Sequence, residues 1–175
     1  MLPLLIGGSM TLVTNDIILI TALRDCIRLR DSMNLNGLTD SSGALSSVAY
    51  LLDFLSLRRK YGTNSRDVLK ISLKIERTVG VSDAIALGEE IRVENVYSLH
   101  DWALKFIQKV NDGFNDNELL EFIDEHYRLI LVTSSQSLAL AKLSVSHFGM
   151  DRFEHIGLKI DTQSILTMHV SSRVH

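Results

Sequence analysis

Two short stretches carry residue types whose spacing could do chemistry. Thr133-Ser134-Ser135 follows the apolar run at residues 127–132 and precedes a segment of helical spacing. Hydroxyls and backbone amides at a helix N-terminus suit a phosphate or another anion, because unpaired N–H groups and the positive end of the helix dipole face it. Ser and Thr also serve simply as helix caps, so binding and capping are both open at this corner. The second stretch is Gly7-Gly8-Ser9-Met10-Thr11, directly after the apolar opening of the chain. Ligands of parallel sheets gather at the carboxyl ends of strands, and both stretches stand at such an end.

The elements that must position them are read from periodicity. The opening Leu-Pro-Leu-Leu-Ile-Gly suits a buried strand of a parallel sheet. Asn15 can cap a helix over residues 16–33, and residues 34–43 form a polar, turn-rich loop. Helical spacing then recurs over 44–61, 66–79, 81–96 and 98–110, so the middle of the chain reads as wholly helical. Trp102 packs the last of these into its core. After a hinge at 111–117 and a short helix at 118–126, residues 127–132 read as a strand. A helix over 136–148 follows, closed by Gly149, and a further strand falls within 153–160. The expected fold is α/β: a small open parallel sheet of Rossmann-like type with an inserted all-helical cap, helix-rich throughout. Its core takes residues 1–13 and 111–175, and its cap takes 14–110.

Composition narrows the function classes. The 175 residues hold 18 Lys plus Arg against 21 Asp plus Glu, a formal charge of -3. That balance argues against a nucleic-acid surface, which needs a basic excess. One cysteine, Cys26, excludes an internal disulfide framework and a multi-cysteine zinc site. The apolar stretches are too short or too interrupted to span a bilayer, and no positive charge opens the N-terminus as in a secretory signal. The expectation is a cytoplasmic protein with no membrane and no nucleic-acid partner. His100, His126, His147, His155, His169 and His175 are scattered without metal-ligand spacing. No Gly-x-Ser-x-Gly elbow, dinucleotide fingerprint or phosphate-loop lysine is present. Glu89, Glu90 and Glu94 read as a solvated helix face, and Arg58-Arg59-Lys60 as charge complementing a helix C-terminus.

The arrangement resembles the haloacid dehalogenase superfamily, most of whose members are phosphatases. Ile6-Gly7-Gly8-Ser9-Met10-Thr11-Leu12-Val13 stands where that family carries DxDGT after its first strand. Residues 129–156, from Leu-Ile-Leu-Val-Thr-Ser-Ser to the His-Ile after Phe153, are similar to its second motif, a strand ending in Thr or Ser and then a helix. The helical insertion looks like the family's first type of cap, and the resemblance runs to about residue 160.

The departures fall on the chemistry. The resemblance puts the nucleophile at Gly7 and the general acid and base at Ser9. Neither has the carboxylate those roles need, and Mg²⁺ would lose its main ligand. Lys159 is the lysine available after the second motif, and Asp161 is the last acidic residue, so no acidic pair follows. Asp16 is the carboxylate nearest in sequence to the first motif. The C-terminus reads as truncated, which leaves an open sheet edge for a second copy or another protein. The leading expectation is a divergent HAD-like protein of phosphatase or hydrolase ancestry. It would lack phosphoaspartyl catalysis and keep a phosphate-binding corner at Thr133, Ser134 and Thr11, with Lys159 beside it and a small phosphorylated ligand as partner. One alternative is an active hydrolase using Mg²⁺ and another carboxylate, and a second is a helical protein-interaction module.

Overall fold

Apolar residues three, four and seven apart along four long segments dictate helices that hide one face each. The computed structural model describes residues 8–38, 41–72, 75–143 and 149–161. They form two compact units, with boundaries between Gly62 and Thr63, between Ser98 and Leu99, and between His126 and Tyr127.

The first unit is helical: α1 (Gly8–Leu35), α2 (Ser41–Tyr61), α4 (Leu99–Asn111) and α5 (Asp116–His126). Ile20, Leu23 and Ile27 of α1 are buried together with Val48, Leu52 and Leu55 of α2. From α4 come Trp102 and Phe106, and from α5 Leu119 and Ile123, all at most 1% exposed. Trp102 stacks on Phe122 with ring centroids 5.2 Å apart and donates from Nε1 to Ser56 Oγ at 3.3 Å. Charged clamps join the helices. Arg24 of α1 donates to Asp116 at 3.0 Å and to the Phe114 carbonyl at 2.7 Å. Arg59 of α2 reaches Asp16 at 2.6 Å and grips both oxygens of Asp124.

The second unit holds a three-stranded sheet in the order β1-β3-β2, from β1 (Glu76–Arg77), β2 (Ile91–Asn95) and β3 (Leu129–Thr133). β1 runs parallel to β3 with Arg77 opposite Leu131, and β2 runs antiparallel with Ile91 opposite Thr133. A single bridge from Thr78 to Ile160 continues the sheet beyond β1. Residues 129–132 are all buried, as an unbroken apolar run requires when both faces of a strand are covered. Ile130 and Val132 pack with Val96, Leu140 and Phe153 in one cluster. α3 (Val81–Ala86), α6 (Ser134–Ala141), α7 (Asp151–His155) and a 3₁₀ turn at Asp67–Ile71 complete the unit.

The class is α/β and helix-rich, as expected, but several expectations need correction. The sheet is mixed, because β2 runs against its neighbour. Residues 14–110 are not wholly helical, since β1 and β2 lie inside them, and the boundaries between units do not fall at 13 and 110. The helix expected over 81–96 stops after Ala86. Gly88 turns the backbone to a φ of 71°, which L side chains rarely adopt, and Ile91-Arg92-Val93 then leaves in extended form. The expected 66–79 helix is a 3₁₀ turn followed by β1, and the strand expected at 153–160 is α7 with one bridging residue. α1 begins at Gly8, so Asn15 lies inside it and is not its cap.

One polar atom in the second unit is poorly matched. Arg77 Nε is buried with no hydrogen-bond partner among the described residues. Methionine keeps the aliphatic stem and removes the orphan donor. Arg77→Met is therefore expected to leave stability unchanged or raise it by up to about 1 kcal/mol in urea unfolding. A loss larger than that would show the guanidinium to be structurally required.

Candidate functional site

The corner where β3 meets α6 has the expected local form. Thr133 leaves the strand in an extended conformation and caps α6. Its hydroxyl accepts the Gln136 amide at 3.3 Å, and the Gln136 carbonyl oxygen accepts the Thr133 amide at 2.9 Å. This reciprocal pair is a capping box, and the spacing Thr-x-x-Gln was its signal in the sequence. Thr78, 1% exposed, donates its hydroxyl to the same Gln136 oxygen at 2.5 Å. The Gln136 side-chain amide donates in turn to the Val79 carbonyl at 3.1 Å.

Ser134 is also engaged. Its amide and hydroxyl both donate to the Glu90 carbonyl, at 3.3 and 3.0 Å, and its hydroxyl lies 3.3 Å from a Glu90 carboxylate oxygen. A carboxylate beside the first turn of α6 complements the helix dipole as a bound anion would. One turn on, Ser137 donates to Glu94 at 2.5 Å. Glu90 and Glu94 thus lie on or beside strand β2 and bond to α6, where a solvated helix face was expected.

Gly7 and the opening strand lie outside the described residues. Ser9 and Thr11 fall within helix α1, whereas a loop after a strand was expected. Both edges of β3 are taken at Ile130 and Leu131, by β1 on one side and β2 on the other. The Lys159 carbonyl accepts the Val79 amide at 2.9 Å, and Lys159 is exposed. Asp16 is 5% exposed and paired with Arg59, so it is a structural carboxylate. No group of three or more metal-ligating side chains occurs among the described residues.

The helical unit offers a different kind of feature. Ser42, Leu45, Ser46, Ala49 and Tyr50 of α2, with Leu99 and His100 of α4, line a groove of about 230 Å³. The α2 positions are three, four, seven and eight apart, hence one face of that helix. Tyr50 stands 71% exposed at the groove, and Phe54, one turn further, is 37% exposed. Among the described residues no helix is long and apolar enough to cross a membrane. Comparisons with family models, curated proteins and solved structures find no match to this chain.

Proposed function

We propose that the chain is a helix-based protein-interaction module whose α2–α4 groove receives the apolar face of a partner helix. The observation that carries this reading is the exposed Tyr50 ring bordering a groove with Leu45, Ala49 and Leu99. Small Ser42, Ser46 and Ala49 side chains let a second backbone approach, and anchors at helical spacing are how grooves read amphipathic helices. A tyrosine supplies large contact area with a polar tip and little entropy to lose, which makes it a frequent hot spot.

The test is a ¹⁵N-resolved titration with a 14-residue Ala/Gln helix carrying Leu at positions 4, 8 and 11. Ser42, Ala49, Tyr50 and Leu99 amides are expected to shift. Tyr50→Ala should weaken binding roughly tenfold, on the order of a hot-spot truncation. Shifts spread over the surface, or equal binding by the variant, would reject the groove.

A second reading follows the resemblance: a protein of HAD-like, phosphatase ancestry with a phosphate corner at Thr133 and Ser134. The strand–Thr–helix corner with its capping box favours it. In this reading the Glu90 carboxylate holds the place of the anion, so Glu90→Gln should tighten inorganic phosphate binding by roughly two- to fivefold, the scale of one exposed charge contact. Calorimetry of both proteins against phosphate checks this, and unchanged affinity removes the reading. Turnover of a phosphomonoester with Mg²⁺ by the native chain would instead favour the active hydrolase.

A further inference from the structure

Asn36 is the one asparagine of the chain that a glycine follows. The pair stands directly after α1, where Gly37 turns the backbone to a φ of 69°. In such a pair the side-chain carboxamide can reach the next backbone nitrogen, because glycine brings no Cβ to hinder the approach and its backbone turns freely. A Cβ built at Gly37 would meet nothing within 4 Å, so the space around the turn is open. Both residues are exposed.

Their polar groups are hydrogen-bonded, but at a helix end with little behind it. Asn36 donates twice to the Ser32 carbonyl, from its amide at 3.2 Å and from its side-chain nitrogen at 2.7 Å. The Gly37 amide donates to the Asn34 carbonyl at 3.1 Å. Leu35 is 88% exposed and Leu38 56% exposed, so neither anchors the turn in a core. Helix ends with few buried contacts open at a free-energy cost near zero, which frees both groups to react. The last turn of α1 carries no basic side chain that could offset a new negative charge.

We propose that Asn36 is a site of spontaneous covalent modification: it deamidates through a succinimide formed with Gly37, and the new carboxylate loosens the end of α1. The Gly37 nitrogen attacks Asn36 Cγ. A C–N bond forms, the Cγ–Nδ2 bond breaks, and ammonia leaves with the proton given up by the Gly37 nitrogen. Water then opens the ring at either carbonyl. The product is aspartate or, where the chain continues through the side-chain carboxyl, isoaspartate. Either one lacks the donor that met the Ser32 carbonyl and adds negative charge where the helix carbonyls already make the potential negative. The step uses no residue of the α2–α4 groove or of the Thr133 corner, so it does not depend on either functional reading.

The full chain is held at pH 8 and 37 °C beside an end-capped peptide of residues 31–38. Digestion and fragment masses then follow conversion at Asn36 and at Asn34 separately. Asn36 of the folded chain should convert within about tenfold of the peptide's rate, because a fraying turn protects little. Asn34, which leucine follows, should stay intact over the same period. Gly37→Ala should slow conversion roughly fivefold or more in chain and peptide alike, since a Cβ then hinders the attacking nitrogen. Asn36→Asp carries the product charge from the start. The Leu38 amide, which donates to the Met33 carbonyl at 2.9 Å, should exchange its hydrogen about two- to fivefold faster in that variant, the scale of one unfavourable charge at a helix end. Conversion in the folded chain more than about tenfold slower than in the peptide would overturn the proposal. So would equal conversion at Asn34, or an unchanged rate in Gly37→Ala. Unchanged exchange at Leu38 in Asn36→Asp would overturn the loosening of α1.

Discussion

Phe153→Ala is expected to destabilise the sheet unit by about 3–5 kcal/mol, the usual loss when a fully buried aromatic becomes a cavity. Phe153 is 0% exposed and lies in the cluster with Val96, Ile130, Val132 and Leu140. Tyr97, Leu143 and Met150 pack around that cluster, so its walls come from several elements and cannot all collapse onto the void. Domains of this size hold only about 5–15 kcal/mol in all, so the loss would be a large share. The readout is amide hydrogen exchange at Ile130 and Val132, because the single tryptophan, Trp102, belongs to the helical unit. Phe153→Leu keeps much of the volume and should cost no more than about half as much. Unaltered exchange at both amides in the alanine variant would show that the cluster is not the core of this unit.

How much of this was legible in the sequence depends on how local each signal is. Leu129-Ile130-Leu131-Val132 announces a buried strand by itself, and Thr133 with Gln136 three residues later announces the helix that follows. α4 and α5 were equally readable, because each carries a complete apolar stripe within one segment. β1 and β2 were not. β1 has two residues, and Ile91-Arg92-Val93-Glu94-Asn95 becomes a strand only through pairing with residues 129–133, nearly forty positions later. Glu90 and Glu94 were misplaced for the same reason, since their serine partners lie 44 and 43 residues away. Asp16, read as the carboxylate nearest the first motif, and Arg59, read as complementing a helix C-terminus, lie 43 residues apart, and only the packing of α1 on α2 makes them a pair. The α2–α4 groove of the helical unit could not be foreseen, because a groove is a property of two helices side by side and no single segment encodes it.

Arg59→Met should cost the helical unit about 2–3 kcal/mol, and the reason is what it leaves behind. Arg59 bonds Asp16 and Asp124 at once, and the neighbouring Lys60 donates to the Asp124 carbonyl at 2.5 Å. The hydrogen bonds Arg59 donates to Asp124, with the one it donates to Asp16, hold the guanidinium above its ordinary pKa against the opposing cost of burial, so it stays charged at every working pH. The Asp16 side chain is 8% exposed, whereas that of Asp124 is 44% exposed. Without Arg59, Asp124 simply returns to water, but Asp16 becomes a buried carboxylate with no counter-charge. Breaking one side of a buried pair costs roughly 3–5 kcal/mol, lowered here because Arg59 itself is partly exposed. Asp124→Asn should therefore cost less than about 1 kcal/mol. The decisive variant is the double replacement Asp16→Leu, Arg59→Met. Apolar residues in place of both charges remove the stranded carboxylate, so the double variant should regain at least half of the single loss. Urea unfolding followed by Trp102 fluorescence measures all four proteins, because Trp102 is 1% exposed and stacks on α5 within this unit. Additive losses in the double variant would mean that Asp16 and Arg59 are not coupled, and that α1 is held to α2 by its apolar face alone.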